Sequence, residues 1–503
     1  MTIDHLPADA GYGATAPPRY DLFYGGRWHP PVTGKYEAVI APATGAILAH
    51  VACAGQDDVD LAVAAAQAGF AEWQSIPALE RARRLRGLAA DIRDHAEELA
   101  HLDAMDSGNP VWMMRADVRN AAEKLDYFAG LVTEMKGDSV PVGPHAVNFS
   151  VREPLGVAVR IAAFNHPFSF VAGKMAAPLA AGNAMIAKPA RQAPLSALRL
   201  AQLALPHVPP GVFNVLPGDR DTGDCLVRHP GVAIVGLIGS VPTGKAVMGA
   251  GAQTLKRVIL ELGGKNALIA YPDADPEDVA EAIVSGMNFS WCGQSCGSTS
   301  RLFVHESLHE KVLARLPEKC ARFVPGLPDD PATTMGSLIS SDQFQRVLDY
   351  IALGKSEGAR LVYGGTLPDD PKLSKGFFIR PTIFDGVEPH MRIAREEIFG
   401  PVLCVLKWAD ESEMIRAVNS LEYGLTCSIW TNDLNVAHRA AAAVQAGYVW
   451  INQVTQHFLG APFGGYKQSG IGREECLDEL LAFTQIKNIH IALRQPPAPA
   501  RRA

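Results

Sequence analysis

The strongest chemical candidate in the sequence is a cysteine on a loop of small residues, Gly293-Gln294-Ser295-Cys296-Gly297. A thiol in such a loop is accessible, and backbone N–H groups can approach it closely. As a thiolate it could attack an electrophilic carbon. For a lone cysteine, a small buried side chain in a turn is the commoner case, so the interpretation depends on the groups that accompany it.

Two further residues could complete nucleophilic chemistry. Glu261 stands near the end of a very apolar segment and precedes Gly263 and Gly264. Burial there would raise its pKa towards that of a useful general base, although such a carboxylate can also simply cap a turn. Asn165 follows another apolar segment, where its amide could donate to a developing oxyanion. An ordinary turn asparagine is the commoner case.

Two predicted strand ends could hold a nucleotide. Gly239 and Ser240 follow a strand and open a helix, so backbone donors and the helix dipole could meet a pyrophosphate. The match falls short of the full G-x-G-x-x-G fingerprint, and plain glycine turns are at least as frequent. Lys188 ends another strand, which is where open parallel sheets bind ligands. The alternative is a surface lysine.

These residues lie in a chain of alternating strand and helix patterns. Short apolar segments predict strands at Val157–Ile161, Met185–Ala187, Val212–Leu216, Ile234–Ile238, Val258–Leu262, Ala267–Ala270, Arg301–His305, Pro401–Leu406 and Leu425–Trp430. Helical spacing precedes them at Asp57–Gln74 and Ala78–Met105, with a break at Gly108-Asn109-Pro110. This alternation predicts two α/β units with parallel sheets built by crossovers.

Four segments lie outside these two units. Ala146–Glu153 and Asn488–Leu493 alternate in polarity and could pair with each other or with another subunit. The two ends of the chain, residues 1–18 and 495–503, are predicted to be loose tails.

Composition narrows the class of protein. A chain of 503 residues predicts two or three domains. Its 53 acidic and 46 basic residues argue against nucleic acid as a general partner. Eight cysteines are too few for a disulfide scaffold and lack the neighbours of a zinc site, so no metal is expected and a cytoplasmic setting fits best. The most hydrophobic stretch, residues 154–187, is interrupted by charges and prolines, which predicts no membrane segment.

In combination and in this order, the motifs resemble those of the aldehyde dehydrogenase superfamily, from about Asp21 to Leu493. The matching segments are Phe164-Asn165-His166-Pro167, Lys188-Pro189-Ala190, Gly239-Ser240, Glu261-Leu262-Gly263-Gly264, Gly293-Gln294-Ser295-Cys296, Glu397–Val402 and Pro462–Gly470. The resemblance implies an enzyme that oxidises an aldehyde to a carboxylic acid with NAD or NADP.

The resemblance also implies roles for individual residues. Cys296 would attack the aldehyde, the Asn165 amide and the Cys296 N–H would hold the oxyanion, and Glu261 would activate water to hydrolyse the thioester. Lys188 would hold the adenosine ribose, and we expect it both among the catalytic residues and among the cofactor-binding residues. The expected cofactor residues are Phe164, Lys188, Arg191, Gly218, Gly239, Ser240, Leu262, Glu397 and Phe399.

The implied architecture is a Rossmann-like cofactor domain (residues 1–131 and 154–261) and an α/β catalytic domain (residues 262–471). A small β element (residues 132–153 and 472–495) would bridge subunits into a homodimer or homotetramer, followed by a tail (residues 496–503).

The substrate pocket departs from the common pattern of the family. Residues expected to line it are His166, Phe170, Trp291, Ser295, Thr455, Gln456, His457, Phe458 and Phe463. This mixture fits an aromatic aldehyde or a cationic one such as betaine aldehyde. Trp291 and Ile238 replace the usual Asn and Thr. Arg191 stands where NAD-preferring members often carry Glu, so NADP should be tolerated, unless Arg191 points to solvent.

The sequence leaves three alternatives open. A catalytically silent relative would not need the joint presence of Cys296, Glu261 and Asn165. A cysteine hydrolase would need a histidine base, and neither His305 nor His309 has an accompanying motif. Family members that pass the acyl group to coenzyme A characteristically lack the carboxylate found here at Glu261, so hydrolysis is favoured.

Overall fold

The computed structural model describes residues 19–494. The two predicted tails, residues 1–18 and 495–503, lie outside the described residues. Within the described range, none of the helices combines the length and the apolar character that crossing a bilayer requires.

The strands, numbered in chain order, are β1 (Arg19–Tyr20), β2 (Leu22–Tyr24), β3 (Arg27–His29), β4 (Tyr36–Ile40), β5 (Ile47–Ala52), β6 (Ser139–Val140), β7 (Ala146–Pro154), β8 (Val157–Ile161), β9 (Ala184–Lys188), β10 (Phe213–Val215), β11 (Ile234–Gly239), β12 (Arg257–Leu262), β13 (Ala267–Ala270), β14 (Arg301–His305), β15 (Arg360–Tyr363), β16 (Thr382–Asp385), β17 (Val402–Trp408), β18 (Thr426–Trp430), β19 (Tyr448–Ile451), β20 (Gly470–Ile471) and β21 (Thr484–Ala492).

The α-helices are α1 (Gln56–Trp73), α2 (Ala78–Asp94), α3 (Ala96–Ser107), α4 (Val111–Gly130), α5 (Lys174–Ala180), α6 (Leu195–Ala204), α7 (Arg220–Arg228), α8 (Val241–Gly251), α9 (Pro276–Gly286), α10 (Glu306–Leu313), α11 (Leu316–Ala321), α12 (Ser341–Ser356), α13 (Arg392–Arg395), α14 (Glu411–Asn419), α15 (Leu434–Ala443) and α16 (Leu477–Ala482).

The first large sheet has the strand order β20-β12-β11-β8-β9-β10-β2-β3. Strands β8 to β12 run parallel, and their near-continuous apolar residues are buried between helices on both faces. Because parallel strands end at the same edge, Lys188 (end of β9), Gly239 (end of β11) and Glu261 (end of β12) come to one side of the sheet. Asn165 follows β8 at that edge.

The second large sheet has the order β15-β16-β17-β14-β13-β18-β19 and is parallel except for its edge strand β15. It carries the second buried core, and the loop before β14 holds Cys296. The prediction of α/β architecture with parallel sheets is therefore confirmed. The domain boundaries stay a prediction. Gly470–Ile471, expected in the catalytic part, adds an antiparallel edge strand to the first sheet beside β12.

The two leftover segments pair with each other. β21 lies antiparallel to β7 from Thr484↔Pro154 to Ala492↔Ala146, and β6 completes a three-stranded sheet. Another difference concerns the predicted helical stretch at residues 78–105. It is broken into α2 and α3 at His95, whose backbone leaves the helical region at ψ 17°.

Candidate active site

A cavity of about 410 Å³ brings together residues that are far apart in the sequence. Cys296 and Glu261 both line it. The predicted pocket residues that share its wall are His166, Phe170, Trp291, Ser295, Thr455, Gln456, His457 and Phe463. Phe458 is 55 % exposed and is not part of the wall. The volume is within the range of small-molecule sites in proteins.

The backbone around Cys296 is held in a rare conformation. Asn288, Cys292 and Gly293 have positive φ angles of 54°, 54° and 68°. A side chain at position 293 would collide with the backbone of Gly400, so that position requires glycine. Such conformations are kept only where the surrounding structure enforces them, and they concentrate at functional sites.

Two buried side-chain amides fix this loop. Asn266 Nδ2 donates to the carbonyl oxygens of Cys296 at 2.6 Å and Ser298 at 3.0 Å. Gln294, two residues before the cysteine, accepts from the N–H of Ile339 at 3.0 Å. Hydrogen bonds to Asn266, which precedes the loop in the sequence, and to Ile339, which follows it, therefore hold the Cys296 loop in place.

The Cys296 thiol is surrounded by groups that disfavour its ionised form. Burial raises its pKa to about 12, and the carboxylates of Glu261 and Glu397 add to the effect. The resting group is thus the thiol, which becomes a strong nucleophile only when its proton is removed.

Glu261 is a buried carboxyl group without a hydrogen-bonding partner. Its side chain is 5 % exposed, and neither carboxylate oxygen is hydrogen bonded within residues 19–494. Burial raises its pKa well above the usual range, and Glu474 raises it further while Lys174 opposes the shift. A carboxylate of this kind accepts a proton readily, which is the property of a general base.

An ion-pair network that the sequence patterns did not indicate lies beside Glu261. Glu474 contacts Arg160 Nη2 at 2.6 Å and Lys174 Nζ at 2.7 Å, and all three side chains are buried. Glu475, the next residue, contacts Lys124 at 2.8 Å and His457 at 3.1 Å on the cavity wall. Most charges along the cavity are therefore paired.

Asn165 lies directly before His166 but is not itself part of the cavity wall. It is 3 % exposed, and its carbonyl accepts from Asn109 Nδ2 at 3.2 Å. Asn109 comes from the break between α3 and α4, which fixes the turn that carries Asn165.

The predicted ribose site lies at the end of β9. Lys188 is buried, its Nζ donates to the carbonyl of Gly218 at 2.8 Å, and burial lowers its pKa to about 8. Arg191 is about 60 % exposed, with its Nε 3.8 Å from a carboxylate oxygen of Glu37. Glu37 also contacts Lys35 at 3.2 Å, so Arg191 is only weakly paired.

The strand end at Gly239 has the form expected of a phosphate site. Ser240 is the N-cap of α8, where its side chain accepts from the Thr243 N–H at 3.4 Å. Leu262 ends the neighbouring strand and packs against Gly244. A helix N-terminus at the same sheet edge as the buried Lys188 fits a dinucleotide pyrophosphate and ribose.

The third predicted cofactor group surrounds Glu397. Its carboxylate accepts from the Gly264 N–H at 3.1 Å, and burial raises its pKa to about 7. Phe399 (φ 57°) meets Phe164 edge to face, with ring centroids 5.7 Å apart. Phe164 also lines a second cavity, of about 860 Å³.

Two polar residues of α12, Gln343 and Arg346, hold the segment that contains Glu397. Gln343 Nε2 donates to the carbonyl of Phe399 at 2.7 Å, and Arg346 Nη2 donates to that of Glu397 at 2.6 Å. Both line the second cavity. No sequence signal identified them, because a polar helix face is also what solvent exposure produces.

The relationship suggested by the motifs can be tested against known proteins. The model of the aldehyde dehydrogenase family matches residues 28–489. The chain belongs to the aldehyde dehydrogenase family. Aldehyde dehydrogenase tropH of Talaromyces stipitatus is 51 % identical over 485 residues, which cover 95 % of this chain and 94 % of that protein. The resemblance stated from the motifs is confirmed.

Solved aldehyde dehydrogenases share the fold. The NAD⁺ complex of an enzyme from Bacillus cereus is 37 % identical with a TM-score of 0.91, covering 95 % of this chain and 97 % of the other. A mutant of the P. syringae indole-3-acetaldehyde dehydrogenase AldA, solved with NAD⁺ and IAA, is 36 % identical with a TM-score of 0.91, covering 94 % and 96 %. The chain is therefore an NAD(P)-dependent aldehyde oxidoreductase, and its cofactor is NAD or NADP.

Proposed function

We propose that this aldehyde dehydrogenase oxidises an aromatic aldehyde to the free carboxylic acid through a thioester on Cys296. The observation that carries the proposal is the shared cavity. A thiol on a constrained loop and an unpaired buried carboxyl group line it together, and several aromatic rings share its wall.

The side chains divide the reaction between them. The Cys296 thiol loses its proton to solvent and its sulfur attacks the aldehyde carbon, while the Asn165 amide with the Cys296 N–H stabilises the oxyanion of the thiohemiacetal. A nicotinamide cofactor would supply the hydride acceptor, and loss of hydride from the carbon would leave the acyl group on Cys296 as a thioester. Glu261 then takes a proton from water, which attacks the thioester and releases the acid.

The pocket walls favour a flat, aromatic substrate. The His166 ring lies 5.1 Å from that of Phe170 and 5.0 Å from that of Trp291, and Phe463 lies 4.5 Å from His457. Rings at these distances leave faces and edges on which another ring can stack. The name of the related AldA, an indole-3-acetaldehyde dehydrogenase, is consistent with this substrate class.

A panel of aldehydes tests the proposal. Benzaldehyde, phenylacetaldehyde, propionaldehyde and betaine aldehyde are compared by kcat/KM with NAD and with NADP, each with and without coenzyme A. We expect the aromatic aldehydes to exceed propionaldehyde by about tenfold or more, since stacking adds roughly 1 kcal/mol or more to burial, and coenzyme A to have no effect. A preference for betaine aldehyde, or a requirement for coenzyme A, would contradict the proposal.

Arg191 is proposed to allow NADP as well as NAD. A guanidinium that is mostly exposed and weakly paired can turn to bind the 2′-phosphate. We expect Arg191→Glu to lower kcat/KM for NADP by about tenfold or more, because a charge-assisted bond is replaced by repulsion. Glu37→Gln, which removes the competing carboxylate, should raise it. A strong NAD preference that neither substitution changes would overturn the idea.

We also propose, as the sequence predicts, that the protein forms a homo-oligomer and acts in the cytoplasm. The small sheet of β6, β7 and β21 exposes large apolar side chains, namely Val140, Val147, Ile486 and Ile491. An exposed apolar face favours a homodimer or homotetramer built through this sheet. All eight cysteines are free, which is consistent with a cytoplasmic setting.

A further inference from the structure

One wall of the cavity is built by a histidine and a buried aspartate. His166 Nδ1 lies 2.7 Å from Asp117 Oδ2, and the Asp117 side chain is only 6 % exposed. Asp117, Asn120 and Lys124 follow one another at helical spacing on α4, and all line the cavity. The helix therefore presents a polar stripe to a pocket that aromatic rings also line.

The pairing fixes which nitrogen of His166 is left to accept a hydrogen bond. A carboxylate can only accept, so Nδ1 carries the proton and donates it to Asp117. In the neutral ring Nε2 is then a hydrogen-bond acceptor, and within residues 19–494 it makes no hydrogen bond. The contacts with Phe170 and Trp291 further restrict the rotation of the imidazole.

We propose that Nε2 of His166 accepts a hydrogen bond from a hydroxyl group on the substrate ring, so that the enzyme selects hydroxylated aromatic aldehydes. The proposal rests on the aromatic substrate class proposed above. Asp117 is a positioning residue: it holds the tautomer and orientation of His166 and does not touch the substrate.

A hydroxyl donor is favoured over an uncharged acceptor by this geometry. An acceptor atom of a substrate, such as an ether oxygen, would face the lone pair of Nε2 and could form no hydrogen bond with it. The neighbouring carboxylates along the cavity, Asp117 and Glu475, are already paired with His166 and with Lys124 and His457. The lone pair of Nε2 is thus an acceptor on this wall that still lacks a donor.

The test compares matched substrates with the intact enzyme. The three hydroxybenzaldehydes, the three methoxybenzaldehydes and benzaldehyde are assayed by kcat/KM with saturating NAD. We expect at least one hydroxy isomer to exceed both its methoxy partner and benzaldehyde by about tenfold, the effect of one well-placed hydrogen bond in a desolvated site. Ratios near one at all three ring positions would overturn the inference.

Substitutions separate hydrogen bonding from ring size. His166→Phe keeps an aromatic ring without an acceptor, and we expect the hydroxy-to-methoxy ratio to fall close to one. His166→Gln retains an acceptor oxygen and should keep more of the ratio than Phe. Asp117→Asn should lower the ratio severalfold, since the amide no longer dictates the tautomer. A purely structural role would change kcat/KM for all substrates alike and leave the ratio as in wild type, which would contradict the proposal.

The two proposals fail in different ways. If benzaldehyde itself is not preferred over propionaldehyde, the aromatic substrate class is wrong. If benzaldehyde is a good substrate but the hydroxy-to-methoxy ratio is the same in wild type and His166→Phe, only the role of His166 is wrong.

Discussion

Replacing Cys296 with alanine is expected to abolish aldehyde-dependent formation of the reduced cofactor, with kcat reduced by about 10⁴-fold or more. The thioester route depends on one sulfur atom, and the loss of a covalent nucleophile has effects of this size in other enzymes. Spectrophotometric assay at 340 nm with a preferred aromatic aldehyde measures the change. Thermal unfolding of the variant should match that of wild type, because removal of one sulfur from a cavity-lining position leaves the loop contacts of Asn266 in place.

Cys292 provides the matched control. It stands four residues earlier, is fully buried and does not line the cavity, and its burial raises the pKa of its thiol. Cys292→Ala should therefore keep most of the activity. Equal losses in the two variants, or persistent activity in Cys296→Ala, would mean that the reaction does not use Cys296 as its nucleophile.

The second large effect is expected for Glu261→Gln. The amide cannot accept a proton from water, so steady-state turnover should fall by about 10²- to 10⁴-fold, the usual contribution of a general base. Attack by Cys296 and hydride transfer precede this step. Rapid mixing should thus show a burst of reduced cofactor close to one equivalent per active site, followed by a slow phase.

Glu123→Gln is the control for this experiment. Glu123 is another carboxylate on the cavity wall, but it is exposed at the surface and forms no ion pair within the described residues. We expect its turnover to stay near that of wild type without a burst. Loss of both the burst and the slow phase in Glu261→Gln would assign Glu261 to an earlier step, such as deprotonation of the thiol.

Much of the arrangement of strands in the two large sheets follows directly from the sequence. Strands β8, β13 and β14 begin and end where the apolar runs do, because strands buried on both faces need continuous apolar residues. In the first large sheet β9, β11 and β12 run parallel, so their ends lie at one edge, which carries Lys188, Gly239 and Glu261. The sequence did not predict the short strands β1 to β6, β15, β16, β19 and β20, since runs of two to six mixed residues resemble loops.

The polar lining of the cavity could not be found in the same way. Asp117 and Lys124 belong to a helix, and Glu475 follows some 350 positions later, so only the packing of α4 against the chain near residue 475 joins them. The buried pairing of Glu474 with Arg160 and Lys174 has the same origin. Charged residues in a sequence are mostly exposed, and nothing local distinguishes the few that are buried.

Mass spectrometry of the acid-quenched Glu261→Gln variant, after mixing with NAD and a preferred aromatic aldehyde, tests the covalent mechanism most directly. The proposed chemistry predicts that the intact protein gains the mass of the aldehyde less two hydrogen atoms, and that the added mass maps to the peptide that carries Cys296. Unmodified protein after a full burst of reduced cofactor, or an adduct on any other residue, would contradict it.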